Sequence, residues 1–497
     1  MPPSTPPHGP GGPQPDPEVA PAAELSSALA AGRLSAGNLL ESCLERLGSL
    51  DRCGPALRSV ISLDPSAADQ AARADARRRG GEHGALLGIP VLVKDNIDVA
   101  GCPTTAGSLA LGDAPAGADA PLVARLRRAG VVLLGKANLT EWANFMAHDM
   151  PSGYSAAGGQ TLNPYDTSIT PSGSSSGSAV AVAAGIVPLS IGTETNGSIL
   201  SPSRHCSVVG VKPTVGLVSR AGVVPISPTQ DTAGPMARTV RDAAALLSVI
   251  AGPDPADPAT AGAPEGTDYT SALEVGAAAG ARIGVVDPGE LPAGDRSAWQ
   301  DALGALRHLG AELVEVDLGG STSGGVGVLV HELAPALAAY LARPGCGTEV
   351  RSLAEVVAYN AAHPDEELKF GQARLEAALA VDHADPDAIA AYEEARRADL
   401  AYSRDSLDAA FGGQGVEALL FANETSCDRG ARAGYPSVCV PAGYSSTHRR
   451  PVAITLLGPA WSEVRLLALA YAFEQATLAR RAPWSVNPAA YRPRAFA

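Results

Sequence analysis

The chain has 497 residues, 45% of them hydrophobic and 18% charged, enough for one large core or several small ones. Its formal net charge of −15 argues against sequence-wide attraction to nucleic acid or to an anionic membrane. No apolar run reaches the roughly 18 residues that a membrane span requires.

The opening MPPSTPPHGPGGPQPDPE has neither a basic start nor an apolar stretch. Residues 1–19 therefore read as a disordered Pro/Gly-rich tail, not a signal peptide, and the protein is expected in the cytoplasm. From Ala20 to about Leu50, Leu25, Leu29, Leu39, Leu40, Cys43 and Leu47 recur near helical spacing, and Ser66–Arg79 reads as a further helix. Ile89–Val93 is a short continuously apolar strand, suited to burial on both faces. A helix over Pro121–Ala129, closed by Gly130, leads to a second buried strand, Val131–Leu134. After a Ser/Thr/Gly-rich stretch from 153 to 177, the small residues SAVAVAA predict a close-packed helix. Ile186–Ile191 then reads as a strand.

Arg238–Ala251 is a helix, 252–267 a surface loop, residues 282–286 a strand and Arg296–Leu309 a helix. Residues 331–410 are helix-rich and charged, an insertion. Val416–Ala422, Ser437–Val440 and Val452–Leu456 are late strands, before a closing helix over Ser462–Arg480. The alternation of strands and helices predicts an α/β fold, one domain over 20–497.

Two short motifs are decoys. Gly130–Lys136 fits part of a phosphate-binding loop, but Ala137 stands where Ser or Thr belongs, and the intervening VVLL is strand. Gly173–Gly177 fits G-x-S-x-G, yet TSITPS before it is no apolar strand for a nucleophile elbow. The seven cysteines show no C-x-x-C or Cys/His metal spacing and read as reduced, mostly buried thiols. The lysines are more informative. Basic residues are mostly Arg, and Lys occurs only at 94, 136, 212 and 369. Lys can give up its proton inside a protein and Arg in practice cannot.

Residues 171–214 read PSGSSSGSAVAVAAGIVPLSIGTETNGSILSPSRHCSVVGVKPT, preceded upstream by Val91-Leu-Val-Lys-Asp-Asn96. This block resembles the amidase signature family, in which GGSSGGSA, GTD-x-GGS and G-x-KP occur in that order. Glu141–Phe145, Gly192–Thr195 and Gln230–Arg238 are similar to the peptide amidase branch. The resemblance implies a large mixed β-sheet covered by helices on both faces. It implies Ser198 as nucleophile, Ser174 as bridging serine on a cis peptide after Gly173, and Lys94 as base. It further implies an oxyanion hole from the backbone N–H groups of Thr195, Asn196, Gly197 and Ser198, and substrate contacts at Gly173, Trp142, Phe145 and Asn423. No metal or cofactor is implied. The substrate would be a small or peptidyl carboxamide, and the protein a monomer or homodimer.

The chemistry agrees with that set. A serine hydroxyl is a weak nucleophile until a base takes its proton. Lysine serves as that base only as a neutral amine, its pKa brought down by desolvation, and Lys94 ends an apolar strand. Singly, serine-rich turns satisfy backbone groups and a lysine after a strand lies on the surface. Only the joint order and spacing point to catalysis. Departures from the family pattern are Asn196 for Gly or Asp, Ser172 in the serine loop, Ser203–Cys206, and the remodelled 423–433 segment. These leave open an acyltransferase with an amine acceptor, or a transamidating component of a complex.

Overall fold

The computed structural model describes residues 15–320 and 325–488. Most of the expected tail, residues 1–14, lies outside the described residues. Residues 16–19 form a turn against the body, where Pro17 O accepts from Arg238 Nη2 at 3.3 Å and Glu18 pairs with Arg46. Residues 16–19 of the expected tail are thus held against the body.

The strands in chain order are β1 (Val60–Leu63), β2 (Pro90–Lys94), β3 (Val132–Ala137), β4 (Tyr154–Ser155), β5 (Gly159–Gln160), β6 (Leu189–Glu194) and β7 (Val209–Lys212). They continue as β8 (Thr232–Ala237), β9 (Arg282–Val286), β10 (Glu312–Val316), β11 (Ala418–Ala422), β12 (Ser437–Tyr444) and β13 (Pro451–Leu457). All but the β4–β5 hairpin join one 11-stranded sheet, in the order β1-β3-β2-β6-β8-β7-β12-β13-β11-β9-β10. It is mixed: β3, β2 and β6 run parallel, as do β11, β9 and β10, and the middle is antiparallel.

Strand alternation sets the two core layers. On β2, Val91 and Val93 enter a cluster with Val123, Leu126 and Leu247, while Leu92 faces the helix Ser176–Ala183 through Val180 and Val182. Lys94 is two residues beyond Leu92 and so shares its face. That helix is made of small residues because it is pressed on the sheet. A Cβ on Gly177 would collide with the backbone oxygens of Ser59 and Asn138, so only glycine fits.

The sequence reading missed β1, β7, β8 and β10 of the main sheet and the β4–β5 hairpin. Between β10 and β11 the chain is mostly helical, including Gly327–Leu341, Leu353–Ala362 and Pro386–Leu400. This segment docks through an apolar cluster that joins Leu329, Leu333 and Leu337 to Trp142, Phe145 and Ile226. Polar ties fix its register: Tyr340 donates to Asp98 at 2.7 Å, and Ser227 donates to Glu332 at 2.6 Å. All seven cysteines are free thiols, four of them buried.

Candidate active site

β2 delivers Lys94 to the start of the serine loop. Its side chain is wholly buried, and Nζ lies 2.8 Å from Ser174 Oγ, 2.8 Å from Thr193 Oγ1 and 3.2 Å from Thr193 O. Burial brings its pKa from the ordinary 10.5 down to about 7, with Glu194 and Asp231 opposing the shift through their negative charge. Burial alone does not single it out. Lys136 is equally buried but ion-paired with Asp95 at 3.0 Å, and Lys212 donates to the carbonyl of Pro213. Among the described residues, Lys94 differs in having two hydroxyl partners and no carboxylate in contact.

Those partners leave a path for a proton toward a neutral lysine. A neutral amine has two N–H bonds and one lone pair. The Thr193 carbonyl can only accept, and Thr193 Oγ1 already accepts from Asn96 Nδ2 at 3.0 Å. Ser174 O–H is then well placed to donate into the lone pair of neutral Lys94.

Ser174 follows a cis Gly173–Ser174 bond. The loop is held by Thr140 N donating to Ser174 O at 3.0 Å and by Ser175 Oγ donating to Thr193 O at 3.0 Å. Ser175 N donates to Ser198 O at 3.1 Å, which ties the serine loop to the turn after β6. Thus Lys94, Ser174 and Ser198 are gathered at one end of β2 and β6.

The turn Thr195–Ser198 is braced from beneath. Thr195 Oγ1 donates to Asp231 Oδ1 at 2.5 Å, and Gln230 Nε2 donates to Thr195 O at 3.1 Å. Burial raises the Asp231 carboxyl to about 6, while Thr195 and two backbone N–H groups hold it down. Gly197 takes φ +79°, a conformation that side chains disfavour. Among the described residues, the N–H groups of Asn196, Gly197 and Ser198 are hydrogen-bonded to no acceptor. Beyond them, Ile199 and Leu200 N–H donate to Glu194 Oε2 at 2.7 and 3.0 Å.

The Amidase family model matches residues 38–421. The chain belongs to the amidase signature family. The solved structure of peptide amidase from Stenotrophomonas maltophilia is 45% identical, with TM-score 0.87, and the match covers 93% of this chain and 98% of that one. A probable amidase of Arabidopsis thaliana is 40% identical over 466 residues, 91% of this chain and 88% of that one. A glutamyl-tRNA(Gln) amidotransferase subunit of Deinococcus radiodurans is 34% identical over 496 residues, 91% of this chain and 96% of that one. This amidase is accordingly a hydrolase of linear amide C–N bonds.

The residues expected to touch substrate fare unevenly in the amidase. Gly173 lies against Thr140 Oγ1, with no room for a Cβ. Trp142 and Phe145 are 2% exposed and pack with the helical segment, although Trp142 Nε1 is buried without a hydrogen-bond partner. Asn423 Oδ1 accepts from Ala453 N at 3.1 Å and Arg204 Nε at 3.2 Å, so that oxygen is committed to the frame. The sequence reading gave no role to Thr193, Glu194, Gln230 or Asp231. All four stand inside motifs quoted for the resemblance, but their partners come from other strands and loops. Among the described residues, no group of three or more His, Cys, Asp or Glu could hold a metal ion, and no helix is long and apolar enough to cross a membrane.

Proposed function

We propose that this amidase cleaves a carboxamide, either a C-terminal peptide amide or a small-molecule amide, through an acyl-enzyme on Ser198. The observation that carries the reading is Lys94, a wholly buried amine 2.8 Å from Ser174 Oγ with its pKa near neutrality. Ser198 Oγ attacks the amide carbon as its proton passes to Ser174 Oγ, whose own proton passes to Lys94 Nζ. The carbonyl π electrons move onto oxygen, and the free N–H groups of the 196–198 turn receive that charge. As the C–N bond breaks, the relay returns a proton to the leaving nitrogen. Water then repeats the sequence on the ester and frees the acid.

The likeness to peptide amidase supports peptide amides as the first substrates to try. Incubation with a panel of peptide and aryl amides, followed by intact-protein mass spectrometry, tests the reading. Acyl adducts that map to Ser198 and vanish in Ser198→Ala support it; full turnover by Ser198→Ala rejects it.

The extended match to an amidotransferase component favours one second reading, transamidation within a complex. That reading predicts that the isolated chain is inert on simple amides. Added hydroxylamine distinguishes an amine-accepting acyltransferase, which would divert acyl product to the hydroxamate.

A further inference from the structure

The four-residue turn after β6 is held from beneath by Gln230 and Asp231, and from outside by a different set of residues. Asn196 is exposed, yet its Nδ2 donates to Asp428 Oδ1 at 2.9 Å. The same Oδ1 accepts from Arg432 Nε at 2.9 Å. The Arg432 side chain, 6% exposed, also pairs with Asp399 and donates from Nη2 to Gly325 O at 3.2 Å. Asp399 and Gly325 both belong to the segment between β10 and β11. One residue before Asp428, Cys427 Sγ packs against Gly197, where an added Cβ would lie 3.3 Å from the sulfur.

We infer that Asp428, locked by Arg432, is a positioning residue for the oxyanion turn and acts through Asn196. The inference rests on the reading of Ser198 as nucleophile. N–H groups stabilise an oxyanion only when aimed at where its charge develops, so small rotations of the peptides around Asn196 reach the transition state first. A partly exposed hydrogen bond is weak when both partners are free to move. Here the acceptor is fixed, because Arg432 ties it to the helical segment. The same geometry explains Asn at position 196. An Asp there would set a second carboxylate against Asp428, and Arg432 can relieve only part of the repulsion. Asn196 and Asp428 are therefore a matched pair, and a change in one is corrected by a change in the other.

The test compares Asn196→Asp, Asp428→Asn and the double variant in the full-length protein, with a peptide amide as substrate. Asn196→Asp should lower kcat by about tenfold to a hundredfold with KM changed less than about threefold, the pattern of a group that acts on the transition state. Asp428→Asn keeps an oxygen for Asn196 and Arg432 and should cost less than about fivefold. In the double variant the amide at position 428 donates to the carboxylate at position 196, and kcat should return to within about fivefold of the parent. Unfolding midpoints are measured alongside. Parental kcat in Asn196→Asp, no recovery in the double variant, or a loss that only tracks a lowered midpoint would overturn the inference. Fluorophosphonate labelling of the parent protein, mapped by mass spectrometry, separates the two readings. Label away from Ser198 refutes the nucleophile assignment, whereas label on Ser198 leaves the kinetic comparison to judge Asp428.

Discussion

Thr193 turns both of its oxygens on Lys94, the hydroxyl at 2.8 Å and the carbonyl at 3.2 Å from Nζ. The residue is 6% exposed and also receives Asn96 Nδ2, so its side chain has a single orientation. In the proposed mechanism this orients the lysine lone pair toward Ser174. Thr193→Val keeps the shape and removes the hydroxyl. It should lower kcat by about tenfold, a partial loss within the range of general-base effects, and Thr193→Ser should recover most of it. Steady-state kinetics on a peptide amide decide the matter, and equal kcat in Val and Thr proteins refutes the role.

In the proposed mechanism the pH profile follows from Lys94 as the base. Only neutral Lys94 can take the proton, and its pKa is lowered to about 7. Activity should therefore rise through about pH 7 and, below it, fall about tenfold per pH unit. Lys94→Arg should lose about 10²–10⁴-fold or more and show no such limb, because guanidinium stays charged. A rate that is flat down to pH 5 is incompatible with a lysine base.

Catalysis and stability should oppose each other at this residue. In the unfolded chain Lys94 titrates near 10.5 and in the folded protein near 7. Between those values the unfolded state binds more protons, so stability contributed by this site is intact above about pH 10.5 and is lost as pH falls toward 7. Each pH unit in that window corresponds to about 1.4 kcal/mol. Lys94→Met removes this burden along with three hydrogen-bond contacts. At pH 7 the inactive variant should be more stable by about 1–3 kcal/mol, with the gain shrinking toward pH 10. Urea unfolding at the two pH values provides the measurement, and a destabilised variant at pH 7 contradicts the account.

These residues also show what a sequence can disclose. The motifs that hold Lys94, Ser174 and Ser198 are legible because each is contiguous, and β2 is legible because its apolar run has no polar break. Thr193 lies in such a motif too, but its role depends on β2 lying beside β6 with Val93 opposite Ile191, a register that no local pattern carries. β8 escapes detection because TAGPMA contains Gly and Pro, which disfavour strands; it forms through burial between β6 and β7. β10 is an edge strand whose exposed Glu312 and Glu315 break the apolar run. Asp428 meets Asn196 across 232 positions of chain, so only the folded protein reveals that contact.

In the proposed mechanism Glu194 links the nucleophile's turn to the base. Its Oε2 accepts from Ile199 and Leu200 N–H, fixing the chain immediately after Ser198, and the group is 1% exposed. Glu194→Ala leaves two buried donors unpaired at about 1–3 kcal/mol each, so stability should fall by about 2–6 kcal/mol and activity with it. Glu194→Gln retains an accepting oxygen and should fold nearly as well as the parent. Its effect should appear instead in the pH profile. The Glu194 charge holds the Lys94 pKa up, so its removal favours the neutral amine. The acid limb should then move below pH 7, and the glutamine variant should keep a larger share of its maximal rate at pH 6 than the parent does. Urea midpoints together with kcat between pH 5 and 9 check both halves, and an acid limb displaced upward would show that Glu194 does not act on Lys94 through its charge.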